Sequence, residues 1–446
     1  MRKRIIGPDQ FIHHGRRAEM PRTLFTNVLI FDGTGNSSYP GEVLLQGNRI
    51  KAVVKGKDQI DQSLAEEVVD GGGATLMPGL TEGHGHLSYT NCAALRDIGN
   101  VPVEEHMLLT SYNARLMLDS GFTSVYSAAS SKPRLDIVLR NEINAGRLPG
   151  PRMKAASPEI TATGGLGDER QMHMHHTGIE LIADGPDEVR RVTRMMIREG
   201  VDTIKINISG DNFVRPHFSE ALAYTDAEVA AAAEVAHEWG VWLACHARAC
   251  ASIKMALRHN FRVIYHCDFA DEECLDQLEA RKNEVFVAPA IGIVYATAYE
   301  AEAWGVTREI AERAGFIASL ERSSEVFKKM RKRGIKVLPG GDYGFAWNKI
   351  GDDARDFEHF VNLFDYTPAE VLRAATQYGG EIMGMGNELG LVKEGYLADL
   401  IMIDGDPLKD VKLFRNRDNI LMVMKDGAYH KPPQPRRHEP AQLAAE

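Results

Sequence analysis

The stretch Thr75-Leu76-Met77-Pro78-Gly79-Leu80-Thr81-Glu82-Gly83-His84-Gly85-His86-Leu87 decides how this chain is interpreted. It is an apolar run with the pattern of a strand, and it ends in two imidazoles separated by one glycine. On an extended segment, residues i and i+2 point to the same side, so both rings can reach one metal ion. Glycine between them keeps the backbone from crowding that ion. Such a histidine pair is weak evidence on its own, because ordinary surface turns explain most of them.

Four further polar residues strengthen the metal interpretation, since each lies in or just past a short apolar run. They are Lys205, His246, His266 and Asp342. Taken singly, the two histidines are explained as buried residues at strand ends, and the aspartate as a turn or helix-capping residue. Taken together, in this order along the chain, the four favour a metal site.

The composition is that of a globular protein, with 44% hydrophobic and 26% charged residues over 446 positions. A formal net charge of -10 argues against nucleic acid or an anionic membrane as a partner. No apolar stretch approaches the roughly 20 residues that span a bilayer. The basic N-terminus precedes no signal-like apolar segment, so we expect a cytoplasmic protein. Five cysteines without a Cys-x-x-Cys pair fit a reducing compartment, as small buried apolar groups.

Strand patterns occur at both ends of the chain. Residues 23–33 form an apolar run closed by glycine, and residues 42–54 indicate a hairpin through Gly47-Asn48. Similar strands return at residues 395–404 and 420–427. These patterns predict a small β-sandwich built from the two termini, with residues 1–79 and 386–430 as its parts. Residues 431–446 are expected to be a loosely docked tail.

The middle of the chain, residues 80–385, alternates strand-like and helix-like runs. Strands are predicted at residues 122–126, 203–207, 241–246 and 262–266, and another strand-like run covers residues 336–342. A capping-box pattern at residues 225–228 marks the start of one helix. This alternation over about 300 residues predicts an α/β fold, a (β/α)8 TIM-like barrel rather than an open sheet. The carboxyl ends of barrel strands open on one rim, where the polar residues would meet.

Hydrolysis of an amide, urea or carbamate at neutral pH explains why such residues would be gathered there. It needs a nucleophile stronger than water and stabilisation of charge on the carbonyl oxygen. Divalent cations supply both, and two of them about 3.5–4 Å apart can share one hydroxide. Lys205 fits this chemistry in an unusual way. Between two isoleucines on a covered strand, its ammonium is costly unless paired, and it cannot ligate a cation. A carbamate formed with CO2 turns it into an anionic bridge with two oxygens.

The chain resembles the amidohydrolase superfamily, whose members carry HxH on the first strand, Lys on the fourth, His on the fifth and sixth, and Asp on the eighth. Residues 77–86 and 394–400 carry the resemblance, together with the split terminal β-sandwich. Lys205 is similar to the lysine of the binuclear, carboxylated-lysine branch. Within that branch, residues 202–206 and 163–165 resemble the Xaa-Pro dipeptidase-like and ochratoxinase-like group, and the pattern is similar to that of phenylurea and molinate hydrolases.

The resemblance implies a role for each ligand. His84 and His86 bind the more buried metal together with Asp342, and His246 and His266 bind the second one. Carboxylated Lys205 bridges the two metals. Asp342 also takes a proton from the bridging water and passes it to the leaving nitrogen. Zinc is the expected metal, with Mn, Co or Fe as substitutes. A homo-oligomer is likewise implied by the resemblance.

Substrate recognition is predicted from two loops and one aromatic segment. His173 and His175 lie in the histidine-rich loop 171–176, which either lines the rim or packs as a surface loop. Arg215, on the loop after Lys205, is a candidate for holding a carboxylate, against the alternative of a solvated arginine. Tyr343 opens an aromatic segment after Asp342. That segment either receives an apolar or aromatic group of the small-molecule substrate or is a packing patch.

The leading hypothesis is therefore a metal-dependent amidohydrolase. It cleaves a C–N bond in an amide, dipeptide-like, carbamate or urea substrate by means of a metal-bridging hydroxide. One alternative is an imidazolonepropionase-like cyclic amide hydrolase or a deaminase of the same superfamily, which does not need the lysine. Another, of a different class, is a non-catalytic scaffold, which the intact ligand set argues against.

Overall fold

A computed structural model of the chain describes residues 21–173 and 178–436. The amino-terminal part consists of strands only. They are β1 (Arg22–Ile30), β2 (Tyr39–Gln46), β3 (Arg49–Lys55), β4 (Glu67–Asp70) and β5 (Thr75–Pro78). The predicted hairpin is confirmed, because β2 and β3 pair antiparallel and Gln46 faces Arg49 across the turn.

The middle of the chain alternates strands with helices. Its strands are β6 (Leu80–Gly85), β7 (Phe122–Ser127), β8 (Arg152–Lys154), β9 (Ala156–Thr161), β10 (Glu180–Ile182), β11 (Thr203–Asn207), β12 (Trp242–Ala247), β13 (Val263–His266) and β14 (Phe286–Ala288). Its helices are α1 (Leu95–Gly99), α2 (Val103–Asp119), α3 (Leu135–Asn144), α4 (Pro186–Glu199), α5 (Asp226–Glu238), α6 (Cys250–Arg258), α7 (Glu272–Ala280), α8 (Ile291–Tyr299), α9 (Arg308–Ala314), α10 (Phe316–Arg333), α11 (Asp356–Phe364), α12 (Pro368–Ala375) and α13 (Gln377–Ile382).

The carboxy-terminal part returns to strands, with β15 (Leu400–Ile403), β16 (Ile420–Lys425) and β17 (Ala428–Lys431). β15 pairs antiparallel with β5, so strands from both ends of the chain join one eight-stranded sheet. The β-rich unit predicted from the two termini is therefore formed as one hydrogen-bonded sheet. A core of its own, which includes Phe25, Leu76 and Met402, holds it together.

The strands of the middle part run parallel, as the alternating pattern predicts. β6, β7 and β8 form one sheet, and β9 to β14 form a second in the order β10-β9-β11-β12-β13-β14. Residues 337–339 lie between the two sheets: Leu338 donates its N–H to Val287 O, and Gly83 donates its N–H to Pro339 O. The result is a TIM-barrel-like α/β fold with a separate β-rich unit.

One detail differs from the pattern predicted for the middle part. Residues 336–342 make only one isolated bridge, between Val337 and Val287, and no regular strand. The reason is local, because Pro339 has no N–H to donate and two glycines follow it. The capping box is confirmed at Thr225 and Glu228, where α5 begins. Among the helices of the described residues, none has both the length and the apolar character needed to span a bilayer.

Candidate metal centre

His84, His86 and Asp342 converge at the end of β6. His84 lies in the strand and His86 directly after it, and both rings are buried. The Oδ1 atom of Asp342 is 3.1 Å from Nε2 of His86 and 4.0 Å from Nε2 of His84. The ligand atoms of the three side chains all lie within 4.8 Å of one another. One divalent cation could therefore be held by two imidazole nitrogens and one carboxylate oxygen.

Gly85 serves packing rather than the metal side of the strand. A Cβ atom at this position would lie 2.5 Å from Cγ1 of Val125 on the neighbouring strand β7. Because side chains alternate along a strand, this contact is on the face opposite to the two histidines. The glycine is required by the close approach of β6 and β7. Our explanation from the sequence, that it gives room to the ion, was wrong.

His246 and His266 come from the adjacent parallel strands β12 and β13. Their ring centroids are 4.2 Å apart, and the His266 ring is 5.3 Å from that of His84. His266 and Cys267 have left-handed backbone conformations, with φ of 73° and 63°. Such conformations cost on the order of 1–3 kcal/mol each in residues of this kind. This strain lies at the strand end that directs the His266 ring towards the other imidazoles.

Lys205 reaches the same place from β11. Its side chain is almost completely buried, and Nζ lies 3.5 Å from Oε1 of Glu159. The ammonium also lies 4.9 Å from the centroid of the Tyr265 ring. The unpaired charge that the sequence suggested is therefore compensated by a carboxylate on β9. Glu159 was missed in the sequence, although it interrupts an apolar strand run just as Lys205 does.

Most of the predicted ligands line one cavity. Its lining includes His84, Lys205, His246, His266 and Asp342. His86 stacks against Tyr89, another residue of this lining, with 4.1 Å between ring centroids.

The protonation of these groups suits cation binding. Burial lowers the pKa of His84 and His266 well below the usual value; Asp342 opposes this shift at His84, whereas Arg248 adds to it at His266. Burial also lowers the pKa of His246 to about 4. All three rings are thus neutral at neutral pH, the form that ligates metals. Burial alone raises the pKa of Asp342, but the facing histidines and Lys205 outweigh it, so the pKa lies below the usual value and the group is a carboxylate.

The donor set fits a divalent cation such as zinc. Imidazole nitrogens and carboxylate oxygens are its ordinary protein ligands. Among the described residues, the buried Nδ1 atoms of His84 and His266 have no hydrogen-bond partner. Polar atoms buried without partners are costly, and a bound ion or water is one way to satisfy such groups. The residues present therefore fit the group that the pattern predicts.

A buried charge network behind the histidines was not predicted. Arg248 donates from Nε to Oδ2 of Asp211 at 2.5 Å and forms a second ion pair with Asp268. Oδ2 of Asp211 also lies 3.6 Å from Nε2 of His246. Arg248 and Asp268 each follow a predicted ligand by two positions, just past the ends of β12 and β13, so the sequence places both near the ligands without specifying that they pair.

Three buried carboxyl groups lie beneath the site and were also missed. Glu82 Oε1 accepts the N–H of His84 at 2.8 Å, and Asp356 accepts the N–H of Gly340 at 3.0 Å. Burial raises the pKa of Glu82 well above its usual value, and it raises the pKa of Asp353 and of Asp356 to about 7. These groups can hold protons near neutral pH, directly beneath the backbone that carries the ligands.

An outer cavity of about 400 Å³ adjoins the site. Leu166, Phe213 and Phe345 line both the inner and the outer cavity, and Trp347 lines the outer one. Phe345 stacks on Phe213 and on Trp347, with ring centroids 6.1 and 5.9 Å apart. One side of the outer cavity is therefore aromatic, and Arg96, Asp168, Glu169 and Gln171 add polar groups to the rest of its lining.

Within the described part of the chain, the residues predicted to contact the substrate are not among those that line the two cavities. The hydroxyl of Tyr343 is turned inward and donates to Oδ1 of Asp356 at 3.0 Å, so the aromatic lining comes from Phe345 and Trp347 instead. Arg215 is exposed and packs its guanidinium 3.8 Å over the Phe218 ring, outside the lining of either cavity. His173 is exposed. His175 lies outside the described residues, and the roles of both histidines stay predictions.

The sequence matches the model of the amidohydrolase family over residues 75–429. The chain belongs to this family. It is accordingly a hydrolase of C–N bonds, acting on bonds other than peptide bonds or on dipeptides. The family assignment made from residues 77–86 and 394–400 is confirmed.

The chain is similar to several hydrolases of known activity. Ochratoxinase from Aspergillus niger is 25% identical over 389 residues, which cover 80% of this chain and 76% of that protein. A solved Xaa-Pro dipeptidase with methionine bound in its active site is 26% identical, with a TM-score of 0.79 and coverage of 92% and 100%. A solved molinate hydrolase, 19% identical over 92% of this chain and 95% of its own, has a TM-score of 0.72 and shows a shared fold.

Proposed function

We propose that this protein is a binuclear metal-dependent hydrolase that cleaves the C–N bond of an amide, dipeptide-like, carbamate or urea substrate. The observation that carries the proposal is the convergence of one ligand set on one cavity. His84, His86 and Asp342 form its first half, with ligand atoms within 4.8 Å of one another. His246 and His266 form the second half, next to the buried Lys205.

The proposed ligands divide between two cations. His84, His86 and Asp342 hold the first, and His246 and His266 hold the second. Lys205, carboxylated by CO2, would supply an oxygen ligand to each, and Glu159 lies 3.5 Å from its nitrogen. When bound, the two cations supply Lewis acidity and lower the pKa of water, so that attack on the carbonyl carbon occurs at neutral pH. Zinc is the metal we propose, because nitrogen and oxygen ligands prevail.

Asp342 performs the proton transfer in this proposal. Its side chain is half-buried, with 17% of its surface exposed, and it lines the cavity. Its depressed pKa keeps it ionised before the reaction, ready to accept a proton from the attacking water. The same oxygen then returns that proton to the leaving nitrogen, which must depart as a neutral amine. His86, 3.1 Å away, fixes the direction of the carboxylate.

The aromatic residues of the outer cavity support a proposal for the substrate class. Phe213, Phe345 and Trp347 present apolar surface immediately outside the metal ligands. A substrate that places its scissile bond at Asp342 would place its side group against these rings. We therefore propose a small molecule with an apolar or aromatic group next to the C–N bond.

The fold in this proposal is a closed eight-stranded barrel. Residues 337–339 would act as its last strand between β14 and β6, and Ser130, which donates its N–H to Ser157 O, joins the two sheets on the other side. Closure places the six ligands on one rim. The terminal sheet would wrap around its own core as the β-sandwich.

The test combines metal analysis with a substrate screen. The purified full chain, refolded with zinc and bicarbonate, is expected to hold about two metal equivalents per chain. It is then screened for amine release from N-acyl amino acids, dipeptides, aryl ureas and carbamates. Turnover of substrates with apolar or aromatic groups supports the proposal. A chain that binds no metal in zinc-replete buffer would overturn it in favour of a scaffold, and a single equivalent would favour a mononuclear deaminase.

The substrate class is tested separately with Phe345→Ala. This change removes one ring from the aromatic wall, so KM for aromatic substrates is expected to rise while KM for small N-acetyl substrates stays close to that of the unmodified chain. Val214→Ala at the same cavity is the matched control, because it removes an aliphatic group of the lining and leaves the rings in place. An equal rise of KM for both substrate types with Phe345→Ala would argue against an aromatic site.

A further inference from the structure

Two cysteines lie together outside the metal site. Cys250 is the first residue of α6, and Cys274 lies in the first turn of α7. Their sulfur atoms are 3.2 Å apart. The Cys274 thiol also donates to the carbonyl oxygen of Cys250, with 3.5 Å between Sγ and O. Both thiols are free, Cys250 half-buried and Cys274 buried. Our expectation that the cysteines are only small buried apolar groups does not cover this pair.

Asp271 connects the two thiols. It caps α7 by accepting the N–H of Cys274 at 2.7 Å, and its carboxylate is hydrogen-bonded to the thiol of Cys250, which helps to lower the pKa of Asp271. A carboxylate in this position can take up a proton that a thiol releases. The pair therefore has a proton acceptor within direct reach.

The pair is surrounded by charged groups, and burial, followed by the hydrogen bond to Cys250, raises the pKa of the Cys274 thiol, so Cys274 keeps its proton until it reacts. Lys254 places Nζ 3.1 Å from Oδ2 of Asp271 and 2.5 Å from Oε2 of Glu273. Hydrogen bonds to Glu273 and then Asp271 raise the pKa of Lys254, and the nearby Cys250 and Cys274 add to this rise. Both cysteines also stand at helix amino termini, where the backbone dipole favours negative charge. A metal ion between Cys250, Asp271 and Cys274 would compete with this ammonium for the Asp271 carboxylate.

We propose that Cys250 and Cys274 are an oxidative modification site that forms a reversible disulfide with peroxides. The sulfur of Cys250 attacks one peroxide oxygen, the O–O bond breaks, and the hydroxide takes the proton of the Cys250 thiol and leaves as water. The sulfenic acid on Cys250 is then attacked by the sulfur of Cys274, whose proton passes by way of Asp271 to the departing hydroxide. The S–S bond forms, the S–O bond breaks, and a second water leaves. Two thiols lose two electrons in total, and one hydrogen peroxide becomes two waters.

The cross-link would join two segments that support the candidate site. α6 follows β12, which carries His246, and α7 follows β13, which ends at His266. The two segments are already linked by the ion pair between Arg248 and Asp268. A disulfide adds a covalent link to this salt bridge and restricts the unfolded chain between positions 250 and 274. The oxidised protein is therefore expected to unfold at a higher temperature than the reduced one.

The test uses the full-length purified protein treated with hydrogen peroxide and then with iodoacetamide. Mass spectrometry of the digest is expected to show one disulfide-linked peptide pair containing Cys250 and Cys274, which dithiothreitol removes. Cys274→Ser is expected to stop at a sulfenic acid on residue 250 that dimedone traps, whereas Cys250→Ser forms neither product. Cys92→Ser, a change at another half-buried cysteine, is the control and is expected to form the cross-link at the normal rate.

The unmodified chain makes the test independent of how the variants fold. If peroxide consumes its thiols without a 250–274 cross-link, or if cysteine 92 is oxidised first, the proposal is overturned. It is also overturned if zinc alone protects both thiols from iodoacetamide, because the pair is then a metal site. The proposed activity plays no part in these measurements.

Discussion

Asp342 and His86 are in direct contact, with 3.1 Å between Oδ1 and Nε2, and Asp342 reaches this position from a left-handed backbone at φ 57°. Aspartate adopts this conformation more readily than most residues. The left-handed turn after two glycines brings the carboxylate back over β6 instead of letting it continue outward. The contact between Asp342 and His86 thus depends on the residues that disrupt the predicted strand at 336–342.

Replacement of Asp342 by asparagine separates the charge from the shape of this contact. Asp342→Asn keeps the size of the side chain but removes the proton acceptor. We expect kcat/KM to fall by about 10²- to 10⁴-fold, the usual contribution of a general acid–base group, while the fold is kept. Amine release and circular dichroism measure the two effects. Asp365→Asn is the control, because Asp365 is also left-handed, at φ 60°, but is exposed at the end of α11. Full activity of Asp342→Asn would exclude its role in proton transfer.

Removal of the Lys205 side chain tests the bridging role. We expect Lys205→Ala to reduce turnover by orders of magnitude and to reduce the metal content below that of the unmodified chain, because the bridge between the two ligand halves is lost. Added acetate or propionate should restore part of both, since a small carboxylate can occupy the space of a carbamate. Metal analysis and amine release provide the readout. A variant with unchanged turnover and metal content would support a mononuclear enzyme that does not need the lysine.

The sequence was sufficient for the parts of the site that lie at strand ends. His84, His86, His246 and His266 each follow an apolar run, so alternation of side chains along parallel strands was enough to place them on one rim. The capping box of α5 was also predictable, because it depends on local sequence.

What the sequence could not supply depends on contacts between distant segments. The ion pairs of Arg248 with Asp211 and Asp268 join three strand ends, and no local pattern specifies which charges meet. The requirement for glycine at position 85 comes from Val125, 40 residues along the chain. Helices α9 and α10, inserted before residue 337, have no counterpart in the strand pattern that we used.

The buried ion pair of Arg248 with Asp268 is expected to be essential for stability. Asp268→Ala leaves the guanidinium with one of its two carboxylate partners, in a place where both Arg248 and Asp268 are almost completely buried. Breaking a buried pair in this way costs about 3–5 kcal/mol of the free energy of unfolding. Urea denaturation measures it. Glu312→Ala, which breaks the exposed pair with Arg308, is the control and is expected to cost less than about 1 kcal/mol. Equal effects of the two changes would show that the buried network contributes little.

The packing role of Gly85 can be distinguished from a role at the metal. In Gly85→Ala, the new methyl group meets Cγ1 of Val125, and we expect a loss of about 1–3 kcal/mol from overpacking. The double variant Gly85→Ala/Val125→Ala removes the opposing methyl groups and should recover part of this loss relative to the sum of the single changes. Thermal and urea unfolding of the metal-free protein provide the values. Strict additivity of the two changes would mean that the glycine is needed for another reason.

His359, which is not one of the proposed metal ligands, is expected to contribute to acid sensitivity. Burial, together with the charges of Arg355 and Arg415, lowers its pKa to about 3, whereas an unfolded histidine titrates near 6.5. Between these values the unfolded state binds more protons than the folded state. The stability contributed by neutral His359 is therefore complete above about pH 6.5 and is lost as the pH falls towards 3, by about 1.4 kcal/mol per pH unit.

Replacement of His359 by phenylalanine removes this dependence at one position. The ring packs against Tyr295, tilted by 43° with 4.6 Å between ring centroids, and within the described chain its buried Nε2 has no hydrogen-bond partner, so an apolar phenylalanine ring suits this place. We expect His359→Phe to reduce the slope of unfolding free energy against pH between pH 6 and 4 by up to about 1.4 kcal/mol per unit. His237→Phe, at an exposed position of α5, should leave the slope unchanged. If both variants keep the slope of the unmodified chain, proton uptake on unfolding must arise at other residues, with the buried histidines of the metal centre as the next group to test.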